Sequence, residues 1–129
     1  MKKLDKKSVI GITALLIHAA NIDEIYSNKE KKLIMDFINS YLKDDDANKI
    51  LKEAEEIESN SNQLLNYTNI IKENPIEIKK NIVEHLWKII ISDNAIDQYE
   101  SNLMRRICGL IYFSDKECGE IKLRLINNK

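Results

Sequence analysis

Apolar residues recur at spacings of three and four along almost the entire chain, and no stretch sustains the apolar–polar alternation of a half-buried strand. The pattern therefore predicts an all-α fold. In residues 8–20, Val9, Ile12, Leu16 and Ala19 fall on one side, with Ile10, Ile17 and Ala20 beside them. That helix is expected to be covered nearly all round. Leu33, Ile34, Phe37, Ile38 and Tyr41 trace a second stripe, and Ile50, Leu51, Ala54 and Ile57 a third. Leu64, Leu65, Thr68 and Ile71 follow a polar Ser-Asn-Ser-Asn break, which fits either one kinked helix or two. Ile78, Ile82, Leu86 and Ile89, flanked by Val83, Trp87 and Ile90, form a stripe wide enough for a central helix with Trp87 as its largest core anchor. Two further segments carry Leu103, Ile107, Leu110 and Ile111, then Ile121 and Leu125.

Capping letters mark the helix starts. Ser27 with Glu30, Asp97 with Glu100 and Ser114 with Glu117 each set an acceptor three residues before a carboxylate, the reciprocal arrangement that satisfies two orphan amides. Asp44, Asp45 and Asp46 supply acceptors and negative charge where another helix should begin. Asn74 is expected to cap a helix that has Pro75 in its first position, where a missing N–H costs nothing. The result is a compact bundle of six or seven short helices. A chain of 129 residues makes one domain, residues 1–129, with the lysine-rich residues 1–7 expected to be a flexible N-terminal segment.

Composition narrows the function classes. Three glycines and one proline leave few sharp reversals, as a helical bundle requires. Basic and acidic residues number 20 and 21, a net charge of −1, so there is no long-range pull on nucleic acid or an anionic membrane. The seven acids against two lysines between Asp44 and Glu58 fit a solvated helix face. The longest near-apolar run, residues 9–20, is too short for a bilayer and contains Thr13 and His18. No secretory leader is evident, and a cytoplasmic location is expected. Cys108 and Cys118 have no CxxC spacing and make no disulfide framework. His18 and His85 sit beside apolar positions, where hydrogen bonding at the core edge is the expected role.

An internal repeat points to the chemistry. Residues 18–38 align with residues 88–108 at a constant offset of 70, placing Asp23 on Asp93, Glu30 on Glu100, Leu33 on Leu103 and Phe37 on Ile107. In both copies an apolar helix runs into an acidic loop and a capped helix follows, as expected of two helix–loop–helix units packed about an approximate twofold. The second loop gathers Asp93, Asp97 and Glu100. Three carboxylates so placed repel unless they are separated, protonated or neutralised by a cation. Hard ions such as Ca²⁺ or Mg²⁺ prefer these oxygens, while helix capping uses the same letters. The spacing is not that of the twelve-position EF-hand loop. The first copy keeps Asp23 and Glu30 but has Ser27 in place of the middle carboxylate, so any site there should bind more weakly.

The segments HAANIDEIYSNKE and LWKIIISDNAIDQYESNLMRRICGL carry a resemblance to the TerB-like, tellurite-resistance TerB family, which in turn resembles the N-terminal domain of the DjlA co-chaperone. The resemblance spans about residues 12–125. Leu86, Trp87, Asp93, Ile96, Asp97, Tyr99, Glu100, Arg105 and Arg106 follow the family's second motif. It implies an all-α fold of roughly seven helices, an acidic surface and divalent-metal binding at Asp93, Asp97 and Glu100, with a weaker set at Asp23 and Glu30. Where the family usually has glycine, this chain has Glu24 and Asn94.

Neither a nucleophile elbow, a recognisable Cys–His pair nor a glycine-rich phosphate loop is present in the sequence. The expected function is therefore a non-enzymatic domain that binds a partner protein, a divalent cation or both through its acidic loops. A stress-related role would suit it. Two alternatives stand beside it: a small metal-dependent enzyme using the same carboxylates, and a self-associating structural dimer. Arg105 and Arg106 do not form the extended basic, aromatic-interleaved surface of a nucleic-acid binder, and no strongly basic amphipathic helix suggests membrane insertion.

Overall fold

The computed structural model describes residues 5–21, 28–42, 47–60, 64–91 and 98–127, and every regular element among them is helical. In chain order these are α1 (Lys6–Ala20), α2 (Asn28–Tyr41), α3 (Ala47–Asn60), α4 (Leu64–Lys72), α5 (Ile76–Ile91), α6 (Gln98–Leu110) and α7 (Asp115–Asn127). None of them is long and apolar enough to cross a membrane.

Two helices organise the core. Ten of the 15 residues of α1 are buried, and it packs against α2, α3, α4 and α5, as its wide apolar surface requires. α5 buries Ile82, Val83, Leu86 and Trp87 among others and meets α1, α2, α6 and α7. One core therefore runs through the bundle, with Ile34, Phe37, Ile50, Ile71, Ile107 and Ile121 closing on it from the surrounding helices. Gly11 lies where α1 meets α4. A Cβ there would run into Cδ1 of Ile70, so the absent side chain permits the close approach.

The termini show which capping expectations hold. Asp5 accepts a hydrogen bond from the Ser8 amide at 2.7 Å, and α1 therefore starts ahead of its apolar periodicity, taking in Lys6 and Lys7. Ser114 caps α7 as expected, its hydroxyl accepting from the Glu117 amide at 3.3 Å. Ser27 and Asp97 lie outside the described residues, as do Asp44, Asp45 and Asp46. The polar break separates two helices, α3 ending at Asn60 and α4 beginning at Leu64.

Asn74 and Pro75 are shifted from their expected roles. Asn74 donates its Nδ2 to the Ile70 carbonyl at 2.8 Å, closing α4 rather than opening α5. Pro75 is the cap residue, its carbonyl accepting from the amides of Ile78 and Lys79 at 3.1 Å each. An asparagine amide can serve either neighbour, and here the free carbonyls at the end of α4 take it.

α6 ends in a Schellman turn. The Phe113 amide donates to Cys108 O at 2.8 Å and the Tyr112 amide to Gly109 O at 3.3 Å. Tyr112 occupies the left-handed position with φ 59°, where glycine is usual. Across α5 and α7, Arg124 donates to Glu84 at 2.7 Å.

Candidate functional site

The acidic segments leave the ends of α1 and α5 and enter α2 and α6, whose first residues, Asn28 and Gln98, keep the 70-residue offset. Glu30 and Glu100 are each the third residue of their helix, where the exposed amides and the helix dipole favour negative charge. Glu30 is 2% exposed and has an interaction partner, as a buried carboxylate must. Asp23, Asp93, Asp97 and the side chain of Glu100 lie outside the described residues. The predicted ligand set is thus represented by Glu30 alone, and among the described residues no three His, Cys, Asp or Glu side chains gather as a metal set. The chemistry of the proposed donors, all carboxylate oxygen, fits a hard divalent ion rather than a thiophilic one.

Where the first acidic segment begins, Glu58 of α3 ties down the last turn of α1. Its Oε1 accepts from Asn21 Nδ2 at 3.1 Å, and its Oε2 lies 3.4 Å from His18 Nδ1. His18 is therefore a polar anchor at the core edge, as expected. Glu58 is more than a member of a solvated acidic face. No local spacing signals a contact between residues so far apart in the chain.

His85 has the same kind of structural role on α5. Its Nδ1 lies 3.0 Å from the Asn81 carbonyl, which can only accept, so Nδ1 carries the proton. The ring meets Phe37 edge-on at 5.2 Å, and Asn81 donates to the Tyr41 hydroxyl at 2.7 Å. Burial pushes the His85 pKa down, opposed by the hydrogen bond to Asn81.

A second site forms between α5, α6 and α7. Trp87, Met104, Arg105, Asp115, Cys118 and Lys122 line a cleft of about 510 Å³. Trp87 is 3% exposed and fills the core as expected, yet its indole Nε1 also donates to Cys118 Sγ at 3.3 Å. The Lys122 ammonium stands 5.3 Å from the Trp87 ring centroid. Cys108 and Cys118 are both free thiols and both buried. The Cys118 thiol is drawn below its ordinary value chiefly by Cys108, with Trp87 and Lys122 assisting and burial and Asp115 opposing. The Cys108 thiol is pushed up by Cys118 and by burial. No short motif signals the Trp87–Cys118 contact, because its members sit on α5 and α7, 31 residues apart.

The family model described as tellurite resistance protein TerB matches residues 9–123, from within α1 to within α7. No curated protein and no solved structure matches the chain.

Proposed function

The chain belongs to the tellurite resistance protein TerB family, and from that premise we propose that it is a non-enzymatic binding domain with a stress-related role. Its acidic interhelical segments take Ca²⁺ or Mg²⁺ and present the loaded face to a partner protein. The observation that carries this reading is the repeated acidic segment: Asp23 and Glu30 before and within α2, Asp93, Asp97 and Glu100 before and within α6. Glu30 and Glu100 fall in the first turns of their helices, where backbone amides partly offset negative charge. A divalent ion offsets the remainder, and carbonyls and water complete its shell. Asp93, Asp97 and Glu100 would form the stronger site, since Ser27 supplies a neutral oxygen where the second segment has Asp97.

Calorimetric titration of the wild type and of the Asp93→Ala/Asp97→Ala variant with Ca²⁺ and with Mg²⁺ tests the proposal. Saturable binding to the wild type, lost in the variant at unchanged helicity, is expected. If neither ion binds the wild type at concentrations on the order of millimolar, the range of weak extracellular calcium modules, the cation reading fails.

A further inference from the structure

We propose that the cleft between α1, α3 and α4 binds a fatty carboxylate, holding its alkyl chain against apolar walls and its headgroup at Lys7. α3 and α4 both pack on α1, yet among the described residues they scarcely touch each other. Two helices that share a support without meeting leave a trough above it. This one encloses about 610 Å³, within the range of small-molecule sites. It lies along the first half of α1, whereas the first acidic segment leaves the other end of that helix.

The lining is apolar below and charged above. Gly11 and Tyr67, both buried, form the floor, and Ile10, Ile57 and Ile70 form the walls. Gly11 has no side chain to fill the trough, and Ile70 leans over it. Ile57 is the informative residue. It shares a helical stripe with Ile50 and Ala54, which are buried, yet Ile57 is 40% exposed. Together with Ile10 and Ile70 it makes a shared apolar patch rather than one scattered exposed side chain.

Charge selects the ligand. Lys6 and Lys7 of α1 and Glu53 of α3 are exposed members of the lining, so the rim carries a net positive charge. The Asp5 carboxylate stands outside the lining and accepts from the Ser8 amide, where the positive end of α1 offsets it. A carboxylate headgroup therefore gains at this rim, and a cationic one is repelled. Lys6 already has an interaction within the chain, so the headgroup is assigned to Lys7. A lysine stem can lie along an apolar wall while its ammonium reaches the water at the mouth. A sugar or nucleotide would demand several convergent polar groups; an alkyl chain needs only the apolar walls that are there.

Calorimetric titration of the full chain with octanoate, decanoate and dodecanoate, each kept below micelle formation, tests the proposal. One site should fill, with affinity rising about fourfold per added methylene until the cleft is full. Dodecyltrimethylammonium, which has the same tail and the opposite charge, should bind about tenfold more weakly or worse. Ile57→Asn removes an apolar wall at an exposed position and should weaken dodecanoate about tenfold. Lys7→Glu should weaken dodecanoate and strengthen the cationic amphiphile, and a carboxylate in the first turn of α1 suits the helix, so this variant tests the site independently of any loss of fold in the other. Leu123→Asn, at a 59% exposed position on α7, should bind as the wild type does. Circular dichroism of each variant checks the helices. A wild type that does not bind dodecanoate overturns the proposal, as does equal binding of the two amphiphiles or an equal loss in Leu123→Asn. Sedimentation with phosphatidylglycerol vesicles in the absence of dodecanoate binding would make this face a membrane contact and overturn it too.

Discussion

Tyr112 offers a sharp test of how the chain leaves α6. An L-residue in the left-handed region brings Cβ against its own backbone at roughly 1–2 kcal/mol, and Tyr112 pays this at φ 59°. Its side chain recovers little, being 74% exposed with the Lys72 ammonium 5.6 Å from the ring centroid, a contact of about 0.5 kcal/mol at such a site. Two substitutions isolate the backbone term. Tyr112→Ala and Tyr112→Gly lose the same ring, and they differ only in whether a Cβ remains. Glycine also has more unfolded-state freedom to lose, about 0.5–1 kcal/mol, so the net advantage over alanine should be about 0.5–1 kcal/mol. Urea denaturation with equal m-values would show it as a higher midpoint for Tyr112→Gly. At an exposed position inside a helix, such as Lys52 of α3, the order should reverse, alanine exceeding glycine by about 1 kcal/mol. A Tyr112→Ala protein as stable as Tyr112→Gly, or more so, would refute the Schellman geometry on which the sign depends.

Two further outcomes are expected. His85 has its pKa lowered from 6.5 in the folded chain, chiefly by burial, so the unfolded chain takes up the proton first as the pH falls. Stability should therefore decline from pH 7 downward through the unfolded value toward the folded one, and His85→Gln should flatten that slope in urea titrations run at several pH values. The Arg124–Glu84 pair is partly exposed, with side chains 48% and 26% accessible, so a double-mutant cycle should give a coupling of about 0.2–1 kcal/mol. That coupling should shrink in high salt; a salt-independent value would rule out a screened ion pair.

What the sequence made legible was local. Stripes at spacings of three and four placed Ile34, Phe37, Trp87 and Ile107 in the core, where they are, because helical periodicity and burial are two views of one geometry. Ser114 was equally plain, since a cap and its amide lie three residues apart. Asn74 was misplaced for a physical reason: its side chain both donates and accepts, and only the neighbouring carbonyls determine which helix it serves. The contacts among Glu58, His18 and Asn21, and the meeting of Cys118 and Trp87, depend on how separate helices dock. No short spacing encodes such encounters. The acidic segments are the reverse case: Asp93 and Asp97 are conspicuous as letters yet lie outside the described residues, and Glu30 alone has a settled environment.

The position of α1 in the order of synthesis bears on how the protein is made. It leaves the ribosome well ahead of α5, the partner that completes its enclosure. Until that later segment emerges, Ile12, Leu15, Leu16 and Ile17 have no lasting shelter from water, and the nascent chain carries an adhesive stretch. Folding is thus expected to finish late and in one step, with holdase chaperones competing for that stretch in the interval.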